Sequence, residues 1–379
     1  MIIANANIVF EDKIIKGYIE FDNEKIINIQ QDSPNKKIDY DANGQYLLPA
    51  FFDSHTHGGY GMDFNMVAID TNYRQKLAKY FKNINKEGVG SILMTTVTCS
   101  DKDLNNIANN YLKIKDDDVN NVIKGWYIEG PYISRIRKGA HNEKLIRPID
   151  SKELKKIKET LPDITKLLTI APEYQNNYLK LNKLKQDFFL SIGHSDCNYQ
   201  MSMHSFKTGA NRITHMYNAM ANFDKRNPTL INAIINSNVY AELICDGAHV
   251  ANEVILNTYK MLGSDRIMII SDSLLTKGLK DGKYIVWNTK VDKKGYLDYL
   301  IDTTTIAGGN LPFNKQVENF GHVTKCSMID ILKVSSLNAA KSLKLNDKIG
   351  TLKKGANSSF VLLDNNYKLK VTFINGRKI

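Results

Sequence analysis

Residues 1 to 48 alternate apolar and polar side chains, as in Ile2-Ile3-Ala4-Asn5-Ala6-Asn7-Ile8-Val9-Phe10 and Lys25-Ile26-Ile27-Asn28-Ile29, with breaks at Asp22-Asn23 and Asn43-Gly44. A period of two is the pattern of strands with one buried face, and Asn, Asp and Gly at the breaks supply hairpin turns. The same style returns at the other end, where Ser359-Phe360-Val361-Leu362-Leu363 and Leu369-Lys370-Val371-Thr372-Phe373-Ile374 run into Asn375-Gly376. Matching β segments at opposite ends predict one small β-sandwich domain, residues 1–48 with 347–379.

Between them the pattern changes. Short apolar runs cover 47–53, 91–96, 122–129, 167–173, 188–194, 212–215, 239–246 and 267–272, and polar-faced stretches such as 73–87, 104–114, 151–160 and 252–262 alternate with them. The runs are too short for helices, whereas the intervening stretches have helical spacing and several open on Asp or Ser caps. Eight β/α units predict a (β/α)8 TIM-like barrel over residues 49–346, and a chain of 379 residues accommodates such a barrel of about 250 residues with a small companion. In that architecture functional groups gather where the strands end.

The residues found there carry chemistry: His55, His57, Glu129, His194, His215, His249 and Asp272. Each alone has an ordinary explanation, as a core histidine or a helix-capping aspartate. Their recurrence at one barrel rim, from distant stretches, does not. Side chains two apart on a strand point the same way, so His55 and His57 in Asp53-Ser54-His55-Thr56-His57-Gly58 can grip one ion before the glycines turn the backbone away. Of the eight histidines, His204 and His322 fall within predicted helices and read as surface or satisfied residues. Imidazoles and a carboxylate form a ligand set for zinc or iron, and a divalent cation shifts the pKa of bound water towards about 7. Asp272, an isolated carboxylate after the eighth run, is the candidate to shuttle the protons of a hydrolysis.

Composition narrows the class. The net charge of +11 raises the question of nucleic acid, but the lysines are scattered along polar helix faces and form no basic arm. No apolar stretch approaches the roughly 20 residues that cross a bilayer, so a membrane is not an expected partner. The start lacks a basic leader and soon reaches Glu11-Asp12-Lys13, which argues against a signal peptide. Cys99, Cys197, Cys245 and Cys326 lack metal or disulfide spacing and suit buried filler in a reducing cytoplasm.

In order along the chain stand Phe52-Asp53-Ser54-His55-Thr56-His57-Gly58, Ile128-Glu129-Gly130-Pro131-Tyr132, Lys138-Gly139-Ala140-His141, Ala171-Pro172-Glu173, Gly193-His194-Ser195, Thr214-His215-Met216-Tyr217-Asn218-Ala219-Met220, Asp246-Gly247-Ala248-His249 and Ile349-Gly350-Thr351-Leu352-Lys353-Lys354-Gly355. This series resembles the N-acetylglucosamine-6-phosphate deacetylases of the amidohydrolase superfamily over nearly the whole chain. The resemblance implies Glu129, His194 and His215 as ligands of a main cation, zinc or iron, with His55 and His57 able to hold a second beside a bridging Glu129. It implies Asp272 as acid and base, and His249 as the group that polarises the acetyl carbonyl or contacts the sugar. Ala140, His141, Asn218, Ala219 and the segment Ile306-Ala307-Gly308, expected in a loop, would form the sugar pocket. Arg226 would reach the 6-phosphate, often from a neighbouring subunit, so a homodimer is implied. Departures from the family pattern are Asn227-Pro228-Thr229 for Glu-Pro-Gly, Ala50 for Gly, and Ala356-Asn357-Ser358-Ser359 near the end. The substrate expected is a phosphorylated N-acetylated amino sugar. Alternatives are the galactosamine epimer, another amidohydrolase acting on a cyclic amide or N-acyl amino acid, and last a non-catalytic scaffold.

Overall fold

In the computed structural model, which describes residues 1–70 and 72–379, eight parallel strands succeed one another in space in chain order. They are β1 (Phe51–Thr56), β2 (Val89–Thr96), β3 (Ile123–Glu129), β4 (Lys166–Ile170), β5 (Phe189–Ile192), β6 (Ala210–Ile213), β7 (Tyr240–Ile244) and β8 (Ile267–Ile270). β2 is buried along its whole length, as expected for a parallel strand covered on both faces. Helices cover the outside in the expected order. The helix Asp101–Asp117 starts on Ser100, whose side chain accepts the Asp103 N–H, and buries Leu104, Ile107, Ala108, Tyr111 and Ile114 at helical spacing.

The seam between the last and first strands is what positions the chemistry. Single bonds at the upper end join them: Asp272 N–H donates to His55 O at 3.0 Å and His57 N–H to Ser273 O at 2.9 Å. Ser271 N–H adds a bond to Asp53 Oδ1 at 3.0 Å. Residues more than 200 apart in sequence are thereby held side by side by main-chain atoms.

The run read as one strand over 47–53 serves two sheets. Tyr46–Pro49 pairs antiparallel with Phe360–Leu363, and Phe51–Thr56 is β1 of the barrel. Ala50 is the step between them, its N–H donating to Ser359 O. An uninterrupted apolar run carries no mark of a change of partner, which is why it reads as a single strand. The chain ends share one sheet in which Ile14–Phe21 and Phe360–Leu363 are separated by two other strands. Phe21 nevertheless meets Phe360 at 5.1 Å and Phe373 at 6.0 Å between ring centroids, so the sheet folds over on itself around a common apolar core.

Beyond β8 the chain builds a four-stranded antiparallel meander, β9 (Gly282–Val286), β10 (Thr289–Lys294), β11 (Leu297–Leu300) and β12 (Ile306–Gly309). The loop expected at Ile306-Ala307-Gly308 is thus corrected to a strand, with Gly308 opposite Asp298 and Gly309 opposite Leu297. Ile-Ala-Gly-Gly has weak β propensity, and pairing with β11 decides its conformation. Among the described residues no helix is long and apolar enough to cross a membrane.

Candidate active site

Glu129, the last residue of β3, is the hub. Its Oε1 lies 2.8 Å from His215 Nε2 and 3.2 Å from His194 Nε2. Its Oε2 lies 3.1 Å from His57 Nε2 and 3.5 Å from His55 Nε2. One carboxylate therefore faces two histidine pairs, one oxygen to each. Asp272 Oδ1 closes the second side, 3.2 Å from His57 Nε2 and 3.4 Å from His55 Nε2. His194, His215 and Asp272 follow strand ends with φ of 46°, 30° and 47°. Left-handed backbone at non-glycine residues costs ~1–3 kcal/mol each, and here it accompanies three side chains turned into one centre.

Hydrogen bonds select the ring tautomers. His194 Nδ1 lies 2.9 Å from Arg137 O and His55 Nδ1 lies 2.8 Å from Glu242 Oε2, so both rings keep a hydrogen on Nδ1 and, in the neutral form that a cation binds, present a lone pair at Nε2. His141 is the reverse. Its Nδ1 accepts the Thr98 N–H at 3.2 Å, which places its hydrogen on Nε2, 3.5 Å from Glu129 Oε2. It faces the centre as a donor.

Burial alone would drive His55 and His57 neutral, but carboxylates outweigh it. Glu129, Glu242 and Asp272 push the His55 pKa up, and Asp272 and Glu129 raise that of His57 to about 9. The same attractions overcome burial and hold Glu129 and Asp272 below the usual carboxylate range. His194 goes the other way, down to about 4, because burial and the neighbouring His141 disfavour its charged form.

This donor set fits a divalent cation. His55, His57, Glu129 and Asp272 bring donor atoms within 4.8 Å of one another, as do Glu129, His141 and His194, although the His141 tautomer turns a hydrogen to the centre. Nδ1 of His57 and of His215 is buried without a hydrogen-bond partner, leaving Nε2 of each ring as its working atom in the shared space.

The cluster forms the floor of a cavity of about 290 Å³. Of the residues expected in the sugar pocket, Ala140, His141, Asn218, Ala219, His249, Ile306 and Ala307 line it. His249 is fixed by its Nδ1, 2.7 Å from Asp246 Oδ2. Gly308 instead lies behind Asp272, where an added Cβ would come 3.0 Å from Asp272 O and 2.6 Å from Leu274. Arg226 is not brought to this cavity by its own chain. It lies exposed in a separate surface hollow with Phe223, Asp224, Lys225 and Asn227. Sequence reasoning missed the roof, Val286 to Thr289 at the β9–β10 hairpin, with Trp287 held by its N–H to Asp63 Oδ2 at 2.9 Å. The run of aromatic and β-branched residues Tyr284-Ile285-Val286-Trp287 was a signal for it. It also missed Glu242 and Arg212, for which an apolar run interrupted by charge was the only sign.

Gly130, directly after the hub, has φ +79°, and a Cβ there would lie 2.1 Å from Thr98 Oγ1, the hydroxyl 2.7 Å from His141 Nδ1. Gly130→Ala is expected to lose at least ~1–3 kcal/mol of stability through this contact and the left-handed backbone. Thermal unfolding checks it, and an unchanged midpoint would show that Thr98 yields freely.

The model of the amidohydrolase family matches residues 46–379. An N-acetylglucosamine-6-phosphate deacetylase of Bacillus subtilis (strain 168) is 31% identical, over 99% of this chain and 96% of its own length. The crystal structure of an N-acetylglucosamine-6-phosphate deacetylase from Thermotoga maritima is 32% identical and superposes with a TM-score of 0.89, covering 100% of this chain and 99% of that one. An N-acetylgalactosamine-6-phosphate deacetylase of Escherichia coli O157:H7 is 29% identical over 89% of this chain and 88% of its own.

Proposed function

This chain belongs to the amidohydrolase family and, within it, to the N-acetylglucosamine-6-phosphate deacetylases, and from that premise we propose that it hydrolyses the acetamide of N-acetyl-D-glucosamine 6-phosphate to D-glucosamine 6-phosphate and acetate. The observation that carries this reading is Glu129, with one oxygen on each histidine pair, beside Asp272 on the floor of the cavity. Glu129, His194 and His215 would hold one divalent cation, zinc or iron, and His55 and His57 with Glu129 a second. The cation supplies Lewis acidity, polarising the amide carbonyl and making water nucleophilic near neutral pH.

The protein groups do the rest. Asp272, a carboxylate 3.2 Å from His57 Nε2 and 3.4 Å from His55 Nε2, takes the proton of the attacking water and later gives it to the departing sugar nitrogen. His141 offers its Nε2–H to the acetyl oxygen as negative charge builds there. His249, anchored to Asp246, contacts the sugar, as do Asn218 and Ala219. Trp287 and its hairpin cover the cavity and exclude bulk water.

The phosphate would meet Arg226 of a second copy, since this arginine is exposed and forms no ion pair among the described residues. A homodimer is part of this proposal. Within one chain, Arg135, Lys138, Lys144 and Lys290 line a hollow that adjoins the cavity mouth through His141, Asn142, Asn288 and Thr289, and they favour an anionic substrate. Four buried free cysteines, with the Cys197 thiol pushed up to about 12 by burial, suit filler in a reducing cytoplasm.

Acetate release from phosphorylated and unphosphorylated N-acetylhexosamines, and from an N-acyl amino acid, tests the reading. N-acetylglucosamine 6-phosphate is expected to be turned over best, and preference for an unphosphorylated amide would overturn it. Preference for the galactosamine epimer would move the assignment to that substrate. Arg226→Ala is expected to raise KM for the phosphorylated sugar about tenfold with little change in kcat, as for a lost contact made equally in ground and transition states. An unchanged KM would pass the phosphate to the basic residues at the mouth.

A further inference from the structure

Beneath the floor, out of reach of any substrate, lies a buried ion pair that the mechanism does not use. Glu242 of β7 and Arg212 of β6 are both fully buried, with Arg212 Nη2 2.7 Å from Glu242 Oε1. The guanidinium also donates to Ser342 Oγ at 2.7 Å and to Ser54 Oγ at 2.9 Å. The other carboxylate oxygen, Oε2, receives His55 Nδ1–H at 2.8 Å and the backbone N–H of His215 at 3.2 Å. A buried ion pair is a poor source of stability, because desolvation consumes most of the attraction and apolar replacements of similar shape often do better. Its presence under this cluster calls for another reason.

We propose that Glu242, backed by Arg212, is a positioning residue that keeps the hydrogen of the His55 ring on Nδ1 and so commits its Nε2 lone pair to a cation held with His57 and Glu129. The inference rests on the reading that the cluster holds a divalent cation. A carboxylate is required because every neighbour of Glu242 is a donor. Glutamine would have to turn its NH2 either to Arg212, donor against donor, or to His55 Nδ1, which must then accept and move its hydrogen to Nε2. In the second case the lone pair facing Glu129 and Asp272 is lost. The other half of the cluster is insulated from this change. His194 has its tautomer set by Arg137 O, and His215 meets Glu242 only through its backbone.

The test compares zinc content and zinc affinity of the full chain, stripped with a chelator and reloaded, for wild type, Glu242→Gln, the double variant Glu242→Leu with Arg212→Met, and Glu87→Gln. The last breaks another buried ion pair, Glu87 with Lys277 at 2.7 Å, away from the cluster. Both Glu242 variants are expected to bind one zinc fewer per chain, or to bind it at least tenfold more weakly, while Glu87→Gln matches wild type. The double variant leaves no unpaired buried charge, so it reports even where the single variant fails to fold. Wild-type zinc content and affinity in a folded Glu242 variant would overturn the inference alone, as would equal zinc loss in Glu87→Gln. A wild-type chain that takes up no zinc would overturn it together with the metal reading.

Discussion

Asp272→Asn is expected to lower kcat for acetate release by about 10²–10⁴-fold while the chain keeps its cations, the range that a positioned acid and base supplies. Asparagine has nearly the same shape but cannot accept a proton. The fold around position 272 is secured by main-chain atoms, Asp272 N–H to His55 O at 3.0 Å and Gly309 N–H to Asp272 O at 3.1 Å, and these survive the change. The barrel seam, and with it the placing of His55 and His57, is therefore retained. The other candidate ligands, Glu129, His194 and His215, are untouched. Measured kcat near wild type, at equal metal content, would remove Asp272 from the centre of the mechanism. Loss of metal in step with activity would instead make it a ligand.

A loss of at least about 10³-fold in kcat/KM, or ~4 kcal/mol of transition-state stabilisation, is expected from Glu129→Gln. Glu129 places one oxygen among the Nε2 atoms of His194 and His215 and the other among those of His55 and His57. A glutamine has one acceptor oxygen, so one histidine pair must face an NH2 group in place of a lone pair. The negative charge that balances a bound cation is lost at the same time. Metal content should fall with activity, which separates this variant from Asp272→Asn. Retention of both cations with full turnover would show that the histidines alone suffice and that the hub has another purpose.

Much of the architecture was legible in the sequence, because parallel strands buried on both faces leave continuous apolar runs such as Ser91-Ile92-Leu93-Met94-Thr95-Thr96 that polar-faced helices then separate. The cluster was legible for a related reason. His55, Glu129, His194, His215 and Asp272 each stand at the end of such a run, and a closed barrel brings all strand ends to one rim. The roof was not legible. Ile306-Ala307-Gly308-Gly309 has no strand signature of its own, and only pairing with Leu297–Leu300 makes it one. Arg226 also shows a limit: the resemblance implies a phosphate contact, yet its position in space leaves it outside the cavity of its own chain.

The sequence by itself determined which elements form, in what order, and which ionisable side chains reach the rim, because hydrophobic periodicity and strand-end placement are properties of local sequence. Tertiary structure alone decided the direction of each donor. Whether an imidazole offers a lone pair, as His55 and His194 do, or a hydrogen, as His141 does, depends on one bond from its far nitrogen to Glu242, Arg137 or Thr98. Those partners lie 43 to 187 residues away for His55 and His141 and 57 for His194, and a bond across such separations has no trace in any local pattern.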